Sequence, residues 1–68
     1  RIGKHVHICP GVKIAGNVKI DESVFVGVGS TIINNLKIEK SSIIGAGSVL
    51  LNNLKKNAKV AGVPAKNI

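Results

Sequence analysis

Phe25 is the only aromatic residue among 68, and Trp, Tyr and Met are absent. An ordinary globular core draws much of its buried area from such large side chains, so a core of that build is excluded. The single cysteine, Cys9, cannot form an internal disulfide framework and is compatible with a reducing cytoplasm, the expected location. Only three residues are acidic against ten Lys and Arg, which gives a formal charge of +7 and favours an anionic partner. One aromatic offers no platform for stacking bases, so no nucleic-acid partner is expected. No apolar run approaches the roughly 18 residues of a membrane-spanning helix, and no signal peptide is visible, so no membrane partner is expected.

What the chain does have is a period. Ile, Val or Leu recurs every sixth residue at Ile2, Ile8, Ile14, Ile20, Val26, Ile32, Ile38, Ile44 and Leu50. A second series falls four residues after each: Val6, Val12, Val18, Val24, Ser30, Leu36, Ser42, Ser48 and Leu54. A helix of about 3.6 residues per turn cannot keep a six-residue stripe on one face, and a simple strand alternates by two. Six-residue repeats instead build a parallel β-helix, one short strand and one corner per repeat. A longer period of eighteen lies above the six, because Asn17-Val18-Lys19 is echoed by Asn35-Leu36-Lys37 and Asn53-Leu54-Lys55. Three hexapeptides per coil make a triangular prism, here of about three coils over residues 2–19, 20–37 and 38–55.

The Asn residues are expected at one corner, where Asn tolerates the left-handed backbone region, and Gly29 and Gly47 at a second. After Leu54 the repeat fails, so residues 1–55 are expected to form the β-helix and 56–68 a short C-terminal cap. Ile2 begins in mid-pattern and Arg1 stands where an initiator Met would, so the chain is expected to be part of a longer protein. A prism this small, with flat faces, gains most by packing on copies of itself, and a homotrimer is expected.

These stretches resemble the hexapeptide-repeat acyltransferases. The resemblance is carried by Ile2-Gly3 with His7, Ala15-Gly16-Asn17-Val18-Lys19-Ile20, Val26-Gly27-Val28-Gly29-Ser30, Ile43-Ile44-Gly45-Ala46-Gly47 and Gly62-Val63-Pro64-Ala65-Lys66. Within that superfamily they look most like the bacterial sugar acetyltransferases related to sialic acid O-acetyltransferase, including N-acetyltransferases of UDP-linked 4-amino-sugars. The resemblance implies a left-handed β-helix, a trimer, and acetyl-CoA as co-substrate in a groove between adjacent prisms. It also implies a nucleotide-sugar acceptor held by an N-terminal Rossmann-like domain, and a catalytic His half a coil before the position of His7. No catalytic residue is therefore expected in these 68 residues, with the general base upstream of Arg1.

By the same resemblance His7 contacts acetyl-CoA near the thioester. Ala15, Gly16, Gly27, Val28, Gly45 and Ala46 are slim outer residues whose backbone amides meet the pantetheine arm. Lys66, with Lys59, is placed for the CoA phosphates. His5, at a corner, is a weaker candidate as a substitute base. His5 and His7 supply too few ligands for zinc, so no metal is expected. Gly11 and Gly16 have the spacing of a phosphate loop, but Asn17-Val18 stands where Lys and Ser or Thr are needed. Cys9 matches Gly27 and Gly45 in the repeat and reads as a space-filling residue. The Lys19, Lys37 and Lys55 ladder reads as a solvated face. A non-catalytic trimerisation scaffold, or an acetyltransferase for another acceptor such as serine, are the alternatives.

Overall fold

The computed structural model describes residues 2–68. Ten short strands follow one another: β1 (His7–Ile8), β2 (Lys13–Ile14), β3 (Lys19–Ile20), β4 (Phe25–Val26), β5 (Thr31–Ile32), β6 (Lys37–Ile38), β7 (Ile43–Ile44), β8 (Val49–Leu50), β9 (Lys59–Ala61) and β10 (Lys66–Asn67). In the first eight, the second residue is the every-sixth aliphatic and the first points outward. The strands stack into three sheets, ordered β1-β4-β7-β9-β10, β2-β5-β8 and β3-β6, and these are the three faces of a prism. Pairing is parallel at the eighteen-residue offset, as in His7↔Phe25, Lys13↔Thr31 and Lys19↔Lys37. The result is an all-β parallel solenoid of about three turns, with no helix among the described residues.

Burial follows the two inward series from Val18 onward. In the first coil Val6, Ile8 and Val12 are half-buried, and Ile2 and Ile14, also expected to point inward, are exposed because no coil lies below them among the described residues. Val26, Ile32, Ile38 and Ile44 are fully buried, with Val18, Ile20, Val24, Leu36, Leu50, Leu54 and Val60 completing the core. Three inward positions are serines, and each hydroxyl donates to a backbone carbonyl at a corner: Ser30 Oγ and Ser48 Oγ to Gly45 O, and Ser42 Oγ to Glu39 O. A hydroxyl bonded in this way avoids the penalty of a buried unsatisfied polar group.

Each corner turns through a residue in the left-handed region. One corner uses His5, Ser23, Ser41 and Asn57, the second Gly11, Gly29 and Gly47, and the third Asn17 and Asn35. At the third corner the Asn17 side-chain amide donates to Asn35 Oδ1 at 2.9 Å, linking successive coils. Asn53 does not join them. Its side-chain oxygen accepts from the Lys37 N–H, and Leu54 pairs with Ile38 instead of Leu36.

The repeat therefore changes phase by two residues between Leu50 and Leu54, rather than ending there. Leu54 takes the position of Ile38, and Val60 that of Ile44. Lys55 accordingly leaves the Lys19 and Lys37 column. Beyond β9 the chain reverses through residues 62–65, and β10 runs antiparallel along the edge of β9. This hairpin covers the sheet edge on which a further coil would have stacked.

The acids are confined to one face, while Lys13 lies on the second and Lys59 and Lys66 on the first. Asp21, Glu22 and Glu39, the only acids, follow the β3 and β6 strands, where Lys4, Lys19, Lys37, Lys40, Lys55 and Lys56 also lie. The other two faces carry the exposed outward apolar residues Phe25, Val28, Ile33, Ile43 and Leu51.

Candidate functional site: exposed amides on one prism edge

His7 is the outward residue of β1 and is exposed. Directly above it in register are Phe25 and then Ile43. The His7 and Phe25 rings stack with centroids 5.3 Å apart and planes 19° from parallel. At the end of this face the chain turns through Gly27-Val28-Gly29 and, one coil higher, Gly45-Ala46-Gly47. Lys66 lies in β10, at the top of the same face, in register with Ala61 of β9, whose first residue is the exposed Lys59. His7, Gly27, Val28, Gly45, Ala46 and Lys66 thus share one face and its edge. Ala15 and Gly16 do not; they follow β2, at the far side of the second face.

Hydrogen bonding divides the six slim residues into two kinds. The N–H groups of Ala15, Gly27 and Gly45 are engaged in the coil ladder, donating to the carbonyls of Ile32, Ile44 and Val60 at 2.9, 2.8 and 2.8 Å. The N–H groups of Gly16, Val28 and Ala46 have no partner among the described residues. They belong to the corner residues, where the backbone turns outward. Val28 and Ala46 occupy the same corner in successive coils, so their donors lie roughly 4.8 Å apart, the strand spacing. At the corner before the first face the equivalent positions are the exposed, charged Lys4, Glu22, Lys40 and Lys56.

Glycine is needed at two of these positions by the coil above. A methyl group at Gly27 would lie 2.5 Å from the Ala46 nitrogen, and one at Gly45 would lie 2.9 Å from the Ala61 Cβ. Gly16 is different. A methyl group there would meet nothing within 4 Å, and its backbone is not in the left-handed region. Neither packing nor conformation within the chain accounts for glycine at that corner.

A shallow groove of about 330 Å³ on the second face is lined by Lys13, Ile14, Ala15, Thr31, Ile33 and Asn34. A wider depression of about 820 Å³ lies against the charged third face, at Lys4, Lys19, Asp21, Glu22, Lys37 and Lys40, away from every residue expected to meet the cofactor. Cys9 is half-buried, and its N–H donates to Val26 O in the ladder, consistent with a packing role. His5 adopts a left-handed corner conformation at φ 57°. Among the described residues no three His, Cys, Asp or Glu side chains come together.

The sequence matches no protein-family profile and no curated protein, but solved structures match it along its length. A single-residue mutant of the perosamine N-acetyltransferase of Caulobacter crescentus, solved in complex with CoA and GDP-perosamine, is 37% identical over 100% of this chain and 32% of its own, with a TM-score of 0.98. The acetyltransferase domain of PglB from Neisseria gonorrhoeae is 33% identical over 93% of this chain and 31% of its own, with a TM-score of 0.91. The serine O-acetyltransferase of Brucella melitensis is 41% identical over 93% of this chain and 27% of its own, with a TM-score of 0.89. The chain spans about a third of the length of these structures. Superposition this close also requires the same hand, which periodicity alone leaves open. The structural neighbours are hexapeptide-repeat acetyltransferases, and the coils of this chain form the same left-handed β-helix.

Proposed function

We propose that this chain is the acetyl-CoA-binding part of an acetyltransferase that moves acetyl from acetyl-CoA to an amine, or a hydroxyl, of a nucleotide-activated sugar in bacterial glycan synthesis. The observation that carries the reading is the match over 100% of the chain to an enzyme complexed with CoA and a GDP-linked amino sugar. The geometry suits it, since Val28 and Ala46 offer free N–H donors on an uncharged edge between His7 and the basic Lys59 and Lys66. An extended amide-bearing arm can accept from both donors, with phosphates toward the lysines and the thioester toward His7. In the transfer, the acceptor nitrogen bonds the acetyl carbon, the carbon–sulfur bond breaks, and the proton lost by the amine passes through a general base to the sulfur, so that CoA leaves as the thiol. Donors aimed at the developing oxyanion supply the main electrostatic help in such steps.

The working form in this reading is a cytoplasmic homotrimer. Two prism faces with outward Phe25, Ile33, Ile43 and Leu51 favour contact with other copies, while the face carrying all three acids favours solvent. Ala15 and Gly16 cannot join His7 on one face, so a neighbouring copy's corner would complete the groove. Serine is the alternative acceptor, favoured by the 41% identity to a serine O-acetyltransferase.

Calorimetric titration of the chain with acetyl-CoA, with ATP as a phosphate-bearing control at moderate salt, tests the proposal. Saturable binding near one per protomer, selective over ATP and weakened by His7→Ala, is expected. Equal, salt-sensitive binding of both ligands would leave a basic β-helical scaffold.

A further inference from the structure

Phe25 meets no need of the solenoid itself. Its repeat requires an apolar side chain at the inward Val26, whereas Phe25 points out of the first face and is 41% exposed. It is also the only Phe, Tyr or Trp in the chain. What it touches is His7, its register partner one coil below, at a centroid separation of 5.3 Å and an interplanar angle of 19°. That separation is close to the roughly 4.8 Å rise between paired strands, so coil stacking itself lays one ring over the other.

Stacking occupies one face of the imidazole and leaves its edge, with both nitrogens, open. Neither ring nitrogen has a hydrogen-bond partner among the described residues. An exposed histidine on a strand ordinarily samples several rotamers. Here the ring is held by a neighbour that makes no polar contact with it, so orientation is fixed while hydrogen-bonding capacity is kept whole. Fixing a group before a ligand arrives removes an ordering cost from the binding step.

We infer that Phe25 is a positioning residue, holding the His7 imidazole so that its open edge faces the thioester end of CoA. This rests on the cofactor role proposed for His7. The gain from immobilising one side chain in advance corresponds to roughly a two- to tenfold tighter Kd. Phe25 touches His7, not the reacting atoms, so its effect must vanish when His7 is absent.

The test is titration of the chain with CoA in wild type, Phe25→Leu, Phe25→Tyr, His7→Ala and the His7→Ala/Phe25→Leu double variant. The His7 ring-proton shifts are followed by NMR, and the fold is checked by circular dichroism. Expected are a roughly two- to tenfold weaker Kd and loss of the ring-current displacement in Phe25→Leu. Phe25→Tyr, which keeps the ring, should retain both properties, and Phe25→Leu should add nothing in the His7→Ala background. Wild-type affinity in Phe25→Leu, alongside weakened binding in His7→Ala, overturns the positioning role and leaves the cofactor reading intact. A Phe25→Leu loss that persists without His7 also overturns it, since Phe25 would then contact CoA directly. Binding that ignores His7→Ala, or no binding by wild type, removes the His7 role and this inference with it.

Discussion

Gly27→Ala is expected to destabilise the solenoid severely, although it adds one methyl group. The new Cβ would lie 2.5 Å from Ala46 N, 2.8 Å from Ala46 Cα and 2.8 Å from Gly45 C, all backbone atoms of the next coil. No side-chain rotation can relieve such contacts. Restoring an ordinary 3.4 Å separation from 2.5 Å requires the two coils to part by about 0.9 Å at this edge. The flanking bonds, Gly27 N–H to Ile44 O and Gly47 N–H to Val28 O, are both 2.8 Å and would stretch to about 3.7 Å, out of hydrogen-bond range. Two lost bonds at about 1 kcal/mol each, with the strain of overpacking at about 1–3 kcal/mol, give a loss of roughly 3–5 kcal/mol. For a domain of this size each kcal/mol moves Tm by about 4–8 °C, so a fall of roughly 12–40 °C is expected.

The matched control is Gly16→Ala, where the methyl group meets open space and the backbone needs no left-handed residue. It should be neutral, or stabilise by up to about 1 kcal/mol by restricting the unfolded chain. Thermal unfolding followed by circular dichroism, at one fixed protein concentration, reads both variants. A Gly27→Ala Tm within about 4 °C of wild type would refute the reasoning, because the coils would then be free to part at little cost. A further contrast separates stability from ligand approach: Gly16→Ala should weaken CoA binding without lowering Tm.

The phase change at the last coil turns Lys56, six residues after Leu50, outward, so Leu54→Ala should cost about 2–5 kcal/mol and Lys56→Ala under about 0.5 kcal/mol, read by urea unfolding; a Lys56→Ala cost comparable to that of Leu54→Ala would restore an unbroken six-residue register. Ser48 donates to Gly45 O at 2.7 Å and accepts from the Gly62 N–H at 3.2 Å, so Ser48→Ala should cost about 1–3 kcal/mol. Amide hydrogen exchange should show that loss first in β9 and β10. Asn35 sits at φ 62° and accepts from Asn17, so Asn35→Ala should lose about 1–2 kcal/mol, whereas Asn35→Gly should recover the backbone part of it in chemical denaturation.

Most of the architecture was legible in the residues because a solenoid writes its geometry locally. Each hexapeptide sets its own strand and corner, and the coil above repeats the instruction eighteen residues later. The sequence by itself therefore determined the prism, its height of about three coils, the inward aliphatics and the corners at Asn17, Asn35, Gly29 and Gly47. It misplaced Asn53-Leu54-Lys55, which copies Asn35-Leu36-Lys37 in composition. Leu54 suits either inward series equally well. Only the bonds between coils, from Glu39 N–H to Leu54 O and from Lys37 N–H to Asn53 Oδ1, decided the two-residue shift that brings Val60 into the core.

The candidate site divides in the same way. Its slim residues are visible in the chain, but which amides are available is not. Gly27 and Gly45 are small because the next coil presses on them, and their N–H groups are engaged in the ladder. Val28 and Ala46, one residue later, turn their donors outward. The pairing of His7 with Phe25, eighteen residues apart, likewise exists only once the coils are stacked. A repeat fixes what lies inside it, because burial is set by period. What its outer surface can bind depends on which backbone groups the neighbouring coil has already taken.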